Sequence, residues 1–594
     1  MSYRAPLADM RFVLDHVADL PSIAGYETYA HATQDVVDAA LDQAAKLAAD
    51  TLAPIDRGGD QEGARAANGV VTTPKGYKEA YRTYVEGGWN GVPFDPEFGG
   101  QGMPWAFAIA VQEMWSSANM AWNLCPLLNQ GAVEAVSAHG SDEQKRLFLA
   151  KMIEGIWTGT MNLTEPQAGS DVGALRARAE PVGDGTWRIF GQKIFITFGE
   201  HDMAENIVHL VLARTPGSPP GTKGISLFLV PKFLVKPDGS LGARNDLRCV
   251  SIEHKLGIHG SPTCVMSYGD QGGAIGTMLG GENGGMRCMF TMMNNARLSV
   301  GLQGLAVAER AYQQAVAYAR ERKQGRPAGR PATEHAPIVV FPDIRRNLMT
   351  MRAGVEAMRA LVYFNASAID RAKAHPDVEE RERQKAMVEL LTPVSKAWST
   401  DLGCELASIN VQVHGGMGFI EETGAAQYYR DARITPIYEG TNGIQAIDLV
   451  MRKLPLRGGG ALRDWIGGIK ALDGDLAAFP DIQKSLAAGV AALERASLWM
   501  GKQLAADPDA ALAGAQPYLK MFGIVTGGFF LAKSALIAKA LLAKGGPNAA
   551  FLKAKIATAR YYAQQILPQA IGLEGPATAG SEMMFALSED ELAA

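Results

Sequence analysis

Glu439 stands between the apolar pair Ile437-Tyr438 and a Gly440-Thr441 turn, within the segment YRDARITPIYEGTNGIQ (429–445). A glutamate held in an apolar pocket has a raised pKa and becomes a competent base near neutrality; on a solvated turn it is only a surface carboxylate. The string alone leaves both readings open. Four other segments gather groups that could hold a ligand. In MNLTEPQAGSD (161–171), Thr164 and Ser170 offer hydroxyls and Gly169 lets backbone N–H groups approach closely, although the same residues make a Pro/Gly turn. KIFITFG (193–199) is an apolar strand with one hydroxyl, Thr197. QVHGGMGF (412–419) carries glycines that permit tight approach to a phosphate, a weak signal in isolation. SIEHKLGIHGSPTCV (251–265) holds His254 and His259, with Glu253 as a third candidate metal ligand. Glu253 and His254 are neighbours that a strand would point to opposite faces, so a pair of turn histidines is the reading taken and no metal is expected.

The elements that must position these residues fall into four stretches. Residues 1–160 read as helical, with Ala-rich runs such as VVDAALDQAAKLAADTLAP (36–54) and no sustained two-residue alternation. Residues 161–283 carry short β-rich runs between turns: TWRIFGQKIFITFG, ENIVHLVLARTPG and GTKGISLFLVPKFLV. From 284 to 455 the texture is helical again, with Leu302, Leu305, Ala308, Tyr312, Val316 and Ala319 recurring on one apolar face. KQGRPAGRPATEHAP (323–337) interrupts it as a loop, and Gly458-Gly459-Gly460 reads as a linker. Residues 461–594 form a last helical region whose stripe runs through Ile482, Leu486, Val490, Leu493, Met500 and Leu504. The fold class expected is therefore α+β: an N-terminal helical domain, a central β domain, a helical-bundle domain and an additional C-terminal helical domain.

Composition narrows the function classes. The 594-residue chain is 47% hydrophobic and 20% charged, which suits several packed cores rather than disorder. A net charge of -5 supplies no global basic field for nucleic acid or anionic membrane. Five scattered cysteines, with no C-x-x-C pair, suit a reducing cytoplasm. Arg4, Asp9, Arg11 and Asp15 break the first residues where a secretory peptide would be apolar, and the apolar run Met521–Ala532 falls short of the roughly 20 residues a membrane span takes. A cytoplasmic location is expected.

Taken together and in this order, TEPQAGSD, KLGIHGSPT, GGMGF and IYEGT resemble the acyl-CoA dehydrogenase family over residues 80–455. The whole chain, with its N-terminal extension and C-terminal helical region, is similar to a larger bacterial subgroup of it. The resemblance implies FAD between the β domain and the following helices, and an acyl-CoA substrate on the flavin's other face. It implies that Met161, Leu163, Thr164, Gly169 and Ser170 line the flavin, with Ser170 also near the CoA, and that Phe195, Ile196 and Thr197 pack beside the ring. Arg322, Gln412, Gly415 and Gly416 would reach the FAD phosphates across a subunit contact. Thr441, Asn442 and Gly443 would meet the nucleotide, and Asn294, Arg297 and Gly440 the substrate. Glu439 would remove the α-proton while hydride leaves the β-carbon for the flavin.

The resemblance also implies short or medium acyl chains, 3-(methylthio)propanoyl-CoA among them, with an electron-transfer flavoprotein as acceptor. The sequence departs from the family pattern at three places. Phe195 replaces a common tryptophan, Phe341-Pro342 stands where many relatives have His-Gln, and Asn294 replaces a common aspartate. Acyl-CoA oxidases share the first half-reaction and a DNA-binding relative shares the scaffold; the whole-chain resemblance and the near-neutral C-terminal region favour the dehydrogenase. The C-terminal stripes must bury against something. They are expected to cover the surface that pairs dimers into tetramers elsewhere in the family, leaving a homodimer.

Overall fold

A computed structural model describes residues 3–329, 331, 335–546 and 548–594. The chain opens with short helices that lead into two long buried ones, α1 (Trp105–Ala118) and α2 (Met120–His139). Asn119 separates these two, its side chain capping α2 by accepting from the Trp122 amide. Helix α1 is buried along its whole length and α2 over most of its own, as suits helices enclosed by others. The N-terminal region also holds a feature that the pattern did not predict: a hairpin of three-residue strands, Arg65–Ala67 and Val70–Thr72. Strands this short offer no alternation to read.

The main sheet of the β domain has eight strands: β1 (Trp157–Asn162), β2 (Arg178–Pro181), β3 (Thr186–Thr197), β4 (Asn206–Ala213), β5 (Ser226–Pro231), β6 (Leu247–Ile252), β7 (Thr263–Tyr268) and β8 (Ala274–Leu279), with a separate hairpin of Phe233–Val235 and Leu241–Arg244 between β5 and β6. They run in the order β6–β7–β3–β8–β5–β4–β1, with β2 also on β3. All pairs are antiparallel except β1 with β4. Every residue of β4 and β5 is buried, as their continuous branched and aromatic runs dictate. The long strand β3 bends the sheet: residues 186–190 pair with β8 and β2, residues 191–197 with β7. Gly191 sits at the change of partner with φ +135, where a Cβ would come 3.0 Å from the Ala177 backbone.

Three long helices follow: α3 (Gly285–Glu321), α4 (Pro342–Ala374) and α5 (Val378–His414). Of the expected stripe on α3, Leu302, Leu305, Ala308 and Ala319 are buried, while Tyr312 and Val316 lie at its half-buried margin. Helices α3 and α5 run parallel and touch backbone to backbone, since a Cβ at Gly403 would lie 2.6 Å from the Gly304 carbonyl oxygen. At their C-terminal ends Tyr318 stacks on His414, ring centroids 4.2 Å apart. Part of the 323–337 loop, residues 330 and 332–334, lies outside the described residues.

Beyond the short helix α6 (Asn442–Asp448), Arg457, Gly458 and Gly459 adopt left-handed backbone and break the helical path. The last region is built from α7 (Pro480–Ala506), α8 (Ala515–Ala543) and α9 (Ala549–Gln565). The α7 stripe is buried from Ile482 to Met500 against α8 and α9, with Leu504 half-buried. By length and composition α8 could cross a membrane, yet most of it is buried within this chain against α4, α5, α7 and α9. Gly523 and Gly527 of α8 admit the Trp398 indole of α5; a Cβ at Gly527 would stand 3.0 Å from the ring. The C-terminal region thus covers the outer face of the bundle formed by α4 and α5.

Candidate active site

The segment after α5 returns across the bundle through a tight turn: the amides of Ile437 and Tyr438 donate to the Ile434 carbonyl at 2.9 and 3.2 Å, and that of Asn442 to the Pro436 carbonyl at 2.9 Å. Within it Glu439 (φ +57) and Gly440 (φ +82) are both left-handed. Glycine adopts this backbone freely; for glutamate it costs on the order of 1 kcal/mol and persists only where the surroundings enforce it. Four groups enforce it here. Gln445 Nε2 donates to the Glu439 carbonyl at 3.1 Å. Lys396 Nζ, from the middle of α5, donates to the Gly440 carbonyl at 2.9 Å and to Asn442 Oδ1 at 2.8 Å. Thr441 caps α6 by accepting from the Ile444 amide at 3.2 Å. Asn442 Nδ2 donates to the Ala397 carbonyl, Thr400 and Asp401.

Burial raises the Glu439 pKa to about 7, against the opposing pull of the Arg297 guanidinium and the Lys396 ammonium. The half-buried carboxyl is thus raised toward neutrality, as a base would need. Arg297, on α3, is buried and pairs with Asp448 at 3.3 Å; a Cβ at Gly440 would lie 3.9 Å from its Nη2. Around this centre Arg297 Nε, Gln303 Nε2 and Gln445 Oε1 are buried polar atoms with no protein partner among the described residues. Such atoms mark a place built for a polar ligand group. A base works ionised, so substrate-driven reduction of the bound cofactor should rise with pH through about 7 and level off above it. The raised pKa also means that ionising Glu439 costs the fold stability as pH climbs from its ordinary range to about 7. A kcat/KM profile flat from pH 5 to 9 (about two units either side of that value) would contradict the assignment.

Backbone strain recurs in the other motifs. Phe195 (φ +60), Phe198 (φ +50) and Ile258 (φ +48) are bulky residues in the left-handed region. The TEPQAGSD turn is clamped to β3 by a buried ion pair, Glu165 with Lys193 Nζ at 2.8 Å, and Lys193 also donates to the Leu163 carbonyl at 3.0 Å. Glu165 accepts two backbone amides as well, from Arg176 and Ala177. This clamp, with the Ile194 amide on the Thr164 carbonyl at 2.9 Å, sets Leu163 and Thr164 beside Phe195–Thr197. Met161 and Ile196 are buried there, Leu163, Thr164 and Thr197 half-buried, and the Phe195 side chain is 58% exposed. Gly169 and Ser170 are exposed, and Gly169 has open space where a Cβ would point. An apolar wall bearing spaced hydroxyls and accessible backbone fits a flat aromatic ring with a polyhydroxyl chain.

The KLGIHGSPT loop is held from both sides. Asp431 accepts the Ile258 amide at 2.5 Å, and a Cβ at Gly257 would stand 2.6 Å from the Arg430 carbonyl oxygen. Both His259 ring nitrogens are engaged, by Asp60 and by the Lys255 carbonyl.

Not every expected residue meets Glu439 within one chain. Asn294 lies exposed a turn before Arg297, and Asn442 turns inward to brace the Glu439 turn. Gln412 is more than four turns beyond Lys396 on α5, about 24 Å along the axis. There Gln412, Gly415 and Gly416 are exposed, as is Arg322 at the end of α3. Phe419 is 86% exposed beside them.

Comparison with known proteins decides the family. Residues 37–156, 160–270 and 283–454 match the models for the N-terminal, middle and C-terminal domains of acyl-CoA dehydrogenase, and residues 465–588 match "Acetyl-CoA dehydrogenase C-terminal like". A 3-methylmercaptopropionyl-CoA dehydrogenase of Ruegeria pomeroyi is 48% identical over 571 residues, covering 96% of each chain. The chain belongs to the acyl-CoA dehydrogenase family. A butyryl-CoA dehydrogenase of Syntrophomonas wolfei is 34% identical, again covering 96% of each chain. The fold is shared with an FAD complex of an acyl-CoA dehydrogenase from Bacillus anthracis, TM-score 0.74, 18% identity, covering 98% of this chain and 93% of that one.

The protein is accordingly an FAD-dependent acyl-CoA dehydrogenase. Bound at the wall formed by Leu163, Thr164 and Phe195–Thr197, FAD would supply the hydride acceptor. Lys396, Gln445, Glu165 and Lys193 were not singled out in the sequence. Lys396, Glu165 and Lys193 hold the site through partners remote in the chain, whereas Gln445 reaches back only as far as the Glu439 carbonyl; the local signal for Lys396 was a lysine in the otherwise uncharged string LLTPVSKAWS.

Proposed function

We propose that this dehydrogenase converts short- and medium-chain acyl-CoA thioesters, 3-(methylthio)propanoyl-CoA among them, to the trans-2-enoyl-CoA, with Glu439 as the base. The observation that carries the base is its carboxyl, raised to about 7 on an enforced left-handed turn between Arg297 and Lys396. The thioester α-proton is weakly acidic, so donors at the carbonyl must stabilise the developing enolate. The Glu439 backbone N–H is the protein donor that the family resemblance implies. Glu439 is half-buried in the chain, and bound flavin and thioester would exclude the remaining water from the proton.

The substrate reading rests on the 48% identical relative, whose name carries the methylthio substrate. A panel of acyl-CoAs of graded length, assayed with an artificial electron acceptor, should give its highest kcat/KM at short or medium chains. An optimum at long chains would reject the reading.

Electrons would pass to an electron-transfer flavoprotein in the cytoplasm, a location in keeping with five free cysteines. The working unit is a homodimer, no nucleic acid or membrane being involved. Two observations support it: Arg322, Gln412, Gly415 and Gly416 lie far along the bundle from Glu439, and exposed Met417, Phe419 and Ile420 give that end an apolar surface. A second copy would bring this end to its partner's flavin. The C-terminal helices cover the α4–α5 face, which limits assembly to two. Sedimentation should give a dimer; a tetramer would reject that limit.

A further inference from the structure

Lys396 is fully buried in the middle of α5, and its hydrogen bonds go to two neutral oxygens of the turn that carries Glu439. Burying an ammonium without a carboxylate in hydrogen-bond contact is costly, and a structural lysine would be replaced by a neutral donor at no loss. The groups facing it come from four elements: Glu439 on the turn, Arg297 on α3, and Asp401 and Cys404 on α5 itself, with Asn442 of α6 between Lys396 and Asp401. Asp401 is engaged elsewhere, accepting from Asn442 Nδ2 at 2.7 Å and from Gln516 of α8 at 3.3 Å. Arg297 is taken up by Asp448. That leaves Glu439 as the acidic group whose charge Lys396 is placed to balance.

We propose that Lys396 is a positioning residue for catalysis: it holds the Gly440 carbonyl so that Glu439 keeps its left-handed backbone, and its charge favours the ionised carboxylate. The inference rests on Glu439 being the base. Burial lowers the Lys396 pKa, and an ionised Glu439 pulls it back up. An ionised Glu439 thus favours the ammonium, and the ammonium favours the ionised carboxylate. Atoms of substrate and cofactor need not touch Lys396 for this.

The test uses the FAD-loaded full chain, with butyryl-CoA as probe and pre-steady-state flavin reduction followed across pH. Lys396→Met removes both the charge and the donors; Lys396→Gln removes the charge and keeps an amide donor. FAD content and melting temperature should stay near wild type in both variants. In both, the acid limb of the reduction rate should move up by about one pH unit or more, the scale of losing a nearby opposite charge. The plateau rate should fall further in the Met variant, which loses the donor as well, and the shifted limb in both variants is what a merely structural role would not produce. Acid limbs at the wild-type position would overturn the proposal. So would loss of folded flavoprotein in both variants, which would make Lys396 a requirement of the fold itself. Glu439→Gln, run alongside, separates the two layers: fast reduction there removes the base, whereas slow reduction there with unmoved limbs in the Lys396 variants removes only the role of Lys396.

Discussion

Replacing Glu439 with Gln is expected to slow flavin reduction by acyl-CoA about 10²- to 10⁴-fold, the usual contribution of a positioned general base. Gln keeps the shape of the side chain and the backbone N–H of the turn. The bonds that enforce the left-handed backbone come from Gln445 and Lys396 and end on main-chain carbonyls, so they survive the change. FAD content and acyl-CoA affinity should accordingly stay near wild type. On a solvated turn the same substitution would be nearly neutral for rate and fold. Stopped-flow absorbance resolves the two readings, and reduction at a near wild-type rate with binding intact would remove Glu439 from the chemistry.

Arg359→Met is expected to produce the largest loss of stability. The Arg359 guanidinium, on α4, is buried among carboxylates from three other helices: Glu113 of α1 at 2.6 Å, Glu309 of α3 at 2.7 Å, and Asp9 of the helix Leu7–His16. Lys555 of α9 extends the network, pairing with Asp9 at 2.7 Å and Glu356 at 2.8 Å. Burial alone would raise the Asp9 pKa, but Lys555 and Arg359 hold it at about 2. Asp9 therefore adds stability that is complete above its ordinary range and is lost as pH falls through about 2. Methionine fills the volume but leaves Glu113 and Glu309 buried beside no cation in contact. Removing one partner of such a pair costs about 3–5 kcal/mol, because the remaining charge stays buried. Urea unfolding at neutral pH should show a loss of that size, and a midpoint within error of wild type would mean that the network contributes nothing net.

Much of the candidate site could be read from the chain because its residues lie in contiguous strings. TEPQAGSD, KIFITFG and IYEGT each occupy one turn or strand end, so each could be read as a unit. The helical stripes on α3 and α7 were likewise visible because an amphipathic period repeats every three or four residues. What stayed hidden depends on packing between distant residues. Glu165 meets Lys193 and Asp9 meets Arg359 across long stretches of chain that no local period records. Lys396 acquires its meaning only when the Gly440 turn folds over α5. The boundary near 161 also misses the start of β1 at Trp157, since a six-residue strand following a helix carries no signal of its own until it pairs with β4.

The central claim, that this chain uses bound FAD and the Glu439 turn to oxidise an acyl-CoA, is tested most directly by anaerobic mixing of the purified flavoprotein with 3-(methylthio)propanoyl-CoA or butyryl-CoA. The account predicts that the flavin absorbance bleaches and that one trans-2-enoyl-CoA forms per flavin reduced. Tight binding of both thioesters with the flavin left oxidised and no enoyl product would contradict it.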